Sequence, residues 1–287
     1  MSVDKIVIEF KKYLLSNSAD NSGKVHSYIH AIDKLNHILK EKTQLLNHNE
    51  NLWLINNHQR LMQIYQIIKE EQKKENGGFF AKTQTPSYWQ YRYYSSAVKT
   101  FASFLIIDKY EKPILELSEK IQDGVKFAKQ WEQQNLIKSP FLFDDNVDIE
   151  SKENEEKWRY IKLRENQNIF RKIILRNYQN KCCLSGLPLV ETLQACHISS
   201  WQDDKKNRLN PENGLCLTAT YHLAFDRHLI TLDDDYRLIL SPTLKEYYTN
   251  EAFKIYFKNF ENKSIQMPKK FLPSKILLEK HRNKLKK

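Results

Sequence analysis

Between Leu193 and Leu229 the chain alternates apolar runs with a polar loop in a spacing that leaves few ways to fold it. Gln194–Ile198 is an apolar run of strand length, Ser199–Pro211 is polar and rich in turn formers, and Leu215–Leu217 is a second short apolar run. From Ala219 the pattern turns helical. Leu223, Ala224, Phe225 and Leu229 can form an apolar stripe there, with Thr218 or Thr220 as N-cap. The segment therefore reads strand, long loop, strand, helix.

On that helix His222 and Asp226 are four residues apart, so their side chains leave from one face, one turn above the other. An imidazole and a carboxylate in that relation suit a divalent ion that keeps open positions for water and phosphate oxygens. Mg²⁺ is the expected ion and Mn²⁺ the alternative. His197, at the end of the first strand, is then free to act as general base on a water, with a pKa near its ordinary value. The Asn213 amide is available to hold its other ring nitrogen. Each of these residues also has a plain structural reading. Asn213 can be the turn residue before Gly214, and Asp226 a surface charge paired with Arg227 or Lys205.

The ordered set Cys196-His197-Ile198, Asn213-Gly214-Leu215 and His222-Leu223-Ala224-Phe225-Asp226-Arg227 resembles the HNH nucleases of the ββα-metal fold, in their restriction-endonuclease-like branch. The resemblance extends upstream through Arg164-Glu165-Asn166-Gln167, Phe170-Arg171, Tyr178, Cys182 and Ser185-Gly186. Downstream it takes in Pro268, Leu272-Pro273-Ser274 and His281-Arg282, so that it covers 158 to the C-terminus. It implies that His197 is the general base, Asn213 its orienting residue and His222 a metal ligand. Asp226 falls on a motif position and is assigned as a second ligand from its spacing. Two positions depart from the pattern. Cys196 stands where many HNH proteins carry Asp or His, and as a soft sulfur it reads as a packed residue rather than a Mg²⁺ ligand. His228 stands where Gly often follows Asp-Arg, and it reads as a surface residue, a phosphate contact or a replacement ligand.

A net charge of +11 over 287 residues and a pI near 9.2 favour a polyanionic partner, because neutralising phosphates releases counterions. Lys205, Lys206 and Arg208 in the loop, with Arg227 and His228 after the helix, are the candidate phosphate and DNA contacts. Lys245–Lys287 adds a dense set of lysines, and Ser274 can cap a final helix carrying Ile276, Leu277 and His281. The four cysteines, Cys182, Cys183, Cys196 and Cys216, contain no C-x-x-C pair, so no structural zinc is expected and the thiols read as reduced. The N-terminal MSVDKIVIEFKKYLL lacks a signal-peptide core and no apolar run has membrane-spanning length, so a cytoplasmic location is expected.

The fold class that follows is mainly α with a small α+β module: an N-terminal helical domain, 1–142, then an acidic linker, 143–157, then the ββα-metal nuclease domain, 158–287. In the first region Val7, Phe10, Leu14 and Leu15 give one amphipathic helix, and Tyr28, Ile29, Ile32, Leu35 and Leu39 a second. A third starts near Asn57 with Leu61, Ile64, Tyr65 and Ile68. A fourth follows Pro86 with Tyr94, Val98, Phe101, Phe104 and Leu105. Phe10 with Tyr13-Leu14, Ser27-Tyr28-Ile29 and Tyr94-Ser95-Ser96-Ala97-Val98 resemble the core-binding, SAM-like domains of tyrosine recombinases. That resemblance implies a DNA-recognition domain touching DNA through Lys82, Arg92, Lys99 and nearby tyrosines. The alternative is a dimerisation domain whose aromatics are core. Beyond the final motif, Ile230–Leu232 and Tyr236–Leu240 flank the Asp233-Asp234-Asp235 turn as a small hairpin.

The expected function is a type II restriction endonuclease cleaving double-stranded DNA. It would act as a homodimer whose twofold axis matches a palindrome, beside a DNA methyltransferase that protects host sites. The alternatives are a modification-dependent or nicking nuclease of a mobile element, and a non-catalytic DNA-binding protein.

Overall fold

The computed structural model describes residues 2–16, 23–81, 83, 85–138 and 166–286. The acidic stretch 143–157 and Lys82 lie outside them. The chain forms two compact units, one from Met1–Pro113 and one joining Ile114–Ile137 to the C-terminal part.

The first unit is all helical. It contains α1 (Val3–Ser16), α2 (Lys24–Glu41), α3 (His58–Glu71), α4 (Pro86–Gln90) and α5 (Tyr93–Ile106). Phe10 is its centre. The Phe10 ring meets Phe101 at 5.3 Å and Trp53 at 5.7 Å, both edge-on, the geometry that aligns a ring's positive edge with its neighbour's negative face. Asn57 caps α3 by accepting from Arg60 N. Two sequence expectations are corrected here. Leu15 is exposed while Ile6 is buried, so the stripe of α1 is Ile6, Phe10 and Leu14. The expected fourth helix is broken in two, because Arg92 takes a left-handed φ of 57° between α4 and α5. Tyr94 is core, whereas Arg92 and Lys99 are exposed.

The second unit contains α6 (Lys112–Lys120), α7 (Gly124–Lys138) and a helix over 166–177, α8. Next come β1 (Leu193–His197), β2 (Gly214–Thr218) and α9 (Ala219–Asp226). The chain ends with β3 (Ile230–Leu232), β4 (Leu238–Leu240), α10 (Glu251–Tyr256) and α11 (Lys275–Arg282). Strands β1 and β2 pair antiparallel with His197 opposite Gly214, and β3 pairs antiparallel with β4. Gly214 has an extended φ of −132°, so it is not required for a turn. A Cβ there would come within 2.4 Å of Ile174 and 2.9 Å of Phe170, and close packing of β2 on α8 is the reason for glycine.

On α9 the buried face is Tyr221, Ala224 and Phe225. Leu223, expected in the stripe, is 57% exposed, because the buried face runs i, i+3, i+4 from Tyr221, whose ring meets Phe257 and Phe260 edge-on, and Leu223 at i+2 lies off it. On α11 Leu277, Leu278 and His281 are buried, and the expected Ile276 faces out. Ser274 is at the N-cap of α11 without a side-chain cap bond. Helix α7 is held to the loop before β2: Gly124 N donates to the Glu212 carboxylate at 2.9 Å, and Phe127 packs on Phe271. All four cysteines are buried thiols. Among the described residues no helix is long and apolar enough to cross a membrane.

Candidate active site

His197 stands at the last position of β1, where the chain leaves the sheet. Its ring stacks on Phe170 of α8, with centroids 4.1 Å apart and planes 11° from parallel, and meets the edge of Trp201 at 5.3 Å. This apolar casing disfavours the imidazolium, so the His197 pKa is pushed down to about 4 by burial, below the near-ordinary value expected from sequence. The Arg208 backbone carbonyl lies 3.1 Å from Nε2. A carbonyl can only accept, so Nε2 carries the hydrogen and Nδ1 keeps the lone pair of a neutral base.

Asn213 was expected to hold that imidazole, and the structure assigns its amide elsewhere. Fully buried, Asn213 donates from Nδ2 to the carbonyls of Ser199 at 3.0 Å and Asn207 at 3.1 Å, and its Oδ1 accepts from Ser199 N at 2.7 Å. The physical reason is position. Asn213 ends the loop that starts at Ser199, and its three bonds pin that loop's backbone, including the approach to the Arg208 carbonyl. Its link to the base is therefore indirect. Replacing it with alanine leaves the part-buried N–H and carbonyl of Ser199 unpaired at about 1 kcal/mol each, while the Asn207 carbonyl keeps its bond from Asn210 N. Asn213→Ala is accordingly expected to lower unfolding free energy by about 2 kcal/mol in urea titrations. A loss below about 0.5 kcal/mol would show that the loop does not depend on it.

His222 and Asp226 meet as their spacing requires, Nε2 to Oδ2 at 3.1 Å. Two ligand atoms each about 2.1 Å from one ion and at right angles to each other are about 3 Å apart, so the pair is spaced for a single divalent cation that takes the place of the proton between them. Burial raises the Asp226 carboxyl, but the hydrogen bond and charge of His222 outweigh it and hold the group below its ordinary value. A contact not anticipated from sequence completes the group. Cys196 Sγ lies 3.7 Å from Asp226 Oδ1, and the ligand atoms of Cys196, His222 and Asp226 all fall within 4.8 Å of one another. Burial, then the Asp226 charge, push the Cys196 thiol well above its usual range, so it stands as an S–H donor to the carboxylate rather than a thiolate.

His197, His222, Asp226 and His228 line one cavity of about 850 Å³, together with Lys280 and Lys284. His228, one of the candidate phosphate contacts, sits at φ 53°, the left-handed position after a helix that glycine usually fills, which accounts for the Gly of the resembled pattern but not for the His here. Lys205, Lys206 and Arg227 are exposed, and Arg208 lies over the Trp201 ring at 5.7 Å. Phe170 and His281, named from sequence as positions of the resemblance without a site role, and Trp201, not named at all, also line this cavity. The signal for His281 was available: it follows Leu277 by one helical turn, at a position where an apolar residue is the rule.

No curated protein matches the chain. Residues 182–233, which carry β1, the pinned loop, β2, α9 and β3, match the family model of the HNH endonuclease, and the chain thus contains an HNH endonuclease domain.

Proposed function

We propose that this protein is a type II restriction endonuclease that hydrolyses phosphodiesters of double-stranded DNA. The observation that carries the reading is the convergence of His197, His222 and Asp226 on one cavity within the family-matched segment. His197 Nδ1 takes a proton from water, the hydroxide oxygen bonds to phosphorus, and the bond from phosphorus to the 3′-oxygen breaks with its electron pair on that oxygen, which takes a proton from solvent. The products are a 5′-phosphate and a 3′-hydroxyl. His222 and Asp226 hold a divalent cation, expected to be Mg²⁺, which supplies charge stabilisation to the phosphate oxygens. Arg208 supports the base through its carbonyl, and Asn213 supports Arg208 by fixing the loop. Lys205, Lys206 and Arg227 are exposed cations for the DNA backbone, and the first unit supplies recognition or dimerisation. One such site cuts one strand, so two copies acting on a palindrome give a double-strand break. A partner methyltransferase protects the host sequence.

Methylated and unmethylated plasmid incubated side by side, with Mg²⁺, with Mn²⁺ and with chelator, test this. Discrete fragments from unmethylated DNA alone support restriction. Cutting only of modified DNA, or nicks alone, identifies the modification-dependent or nicking enzyme. No cutting with either ion leaves a DNA-binding protein.

A further inference from the structure

His281 belongs to α11, outside the family-matched segment, yet it is buried against the metal-site helix. Its ring stacks on Phe225 at 3.8 Å with planes 15° from parallel. Its Nδ1 is 2.9 Å from Thr231 Oγ1, and its Nε2 is 3.1 Å from the Phe225 carbonyl and 3.0 Å from Nδ1 of His228. The carbonyl accepts only, so His281 carries hydrogen on Nε2, whichever way the Thr231 hydroxyl points. The reverse arrangement would set a ring lone pair against a carbonyl oxygen. With an N–H facing it, His228 Nδ1 must be the acceptor, and His228 then carries its own hydrogen on Nε2. Among the described residues no protein group meets that Nε2, and the ring lines the cavity beside Lys280 and Lys284. The His228 backbone is fixed at both ends, its N–H donating to Phe225 O at 2.8 Å and its carbonyl accepting from Lys286 N at 3.1 Å.

We propose that His281 is a positioning residue of the cavity: it holds His228 as a fixed Nε2–H donor to a non-bridging oxygen of a phosphodiester. The phosphodiester rests on the nuclease reading above, whereas the tautomer does not. The C-terminal helix is on this account part of the site rather than a basic tail.

Long-range ¹H–¹⁵N correlation spectra of the full chain test it, with the His228 signals assigned by their loss in His228→Gly. The wild type is expected to show a bare Nδ1 and a protonated Nε2, and the Nε2–H signal is expected to shift when a mixed-sequence DNA duplex is added in EDTA. His281→Phe keeps a ring on Phe225 but lacks the donor, and should give a mixture of His228 tautomers. His228→Gly suits φ 53° and so should fold. Both variants are expected to lower kcat for cleavage about tenfold or more, with KM changed less than about twofold, as befits loss of one hydrogen bond to a charged group. A wild-type His228 protonated on Nδ1, or a tautomer unchanged in folded His281→Phe, overturns the positioning role. An Nε2–H that the duplex does not move overturns the phosphate contact. A protein that cuts no DNA yet shows the tautomer and the duplex-induced shift keeps this assignment and loses only the nuclease reading.

Discussion

His197→Ala is expected to reduce single-turnover DNA cleavage by about a hundred- to ten-thousand-fold, the range for removal of a positioned general base, while duplex affinity stays within about threefold. The imidazole lies between Phe170 and Trp201 at the end of β1 and offers the solvent little surface to bind DNA, so its loss belongs to the chemical step. The pH profile gives a second readout. Burial pushes the His197 pKa down to about 4, so the folded protein keeps the neutral base at every pH above about 5. At saturating Mn²⁺, the limb of the rate profile that belongs to this base should lie near pH 4 rather than near the ordinary histidine value, and the profile should be flat from about pH 5.5 to 7.5. The same lowered pKa links to folding with a definite sign. Its contribution to stability is present above the unfolded value of 6.5 and is lost as pH falls through about 4, so rates at the acid end must be read on protein that circular dichroism shows to be folded. An acid limb centred near 6.5, or loss of binding with turnover unchanged in His197→Ala, would show that another group takes the proton.

Much of this site was legible in the sequence because its elements are local. The spacing of four between His222 and Asp226 fixes their meeting once the segment is helical, and the apolar runs on either side of Ser199–Pro211 fix an antiparallel pair. What spacing cannot carry is which of several possible hydrogen bonds a side chain makes. Asn213 and the Arg208 carbonyl both come back beside His197, and only the path of the loop decides that the carbonyl takes the imidazole and the amide takes the loop. The casing that shifts the His197 pKa comes from α8 and the loop, and His281 arrives from α11, so both depend on tertiary packing. In the helical first unit the stripes on α2, α3 and α5 were readable from period. The break at Arg92 was not, since a left-handed arginine leaves no compositional mark.

Asp226→Asn and His222→Ala are each expected to weaken Mn²⁺ binding by about ten- to a hundredfold in calorimetric titrations and to cut cleavage by about a thousandfold. With Nε2 and Oδ2 only 3.1 Å apart, the proposed site sets both side chains on one ion, so the double variant should lose little more than either single one. Two independent sites would instead give losses that multiply. Cys196 separates ligation from orientation in the same experiment. It is fully buried, its thiol is held protonated, and it donates to the carboxylate, so Cys196→Ser keeps a donor in place and should leave the preference between Mg²⁺ and Mn²⁺ unchanged. If the serine variant instead shifts that preference by more than about tenfold, sulfur belongs to the metal's own shell, and the bond from Cys196 to Asp226 gives way when the ion binds.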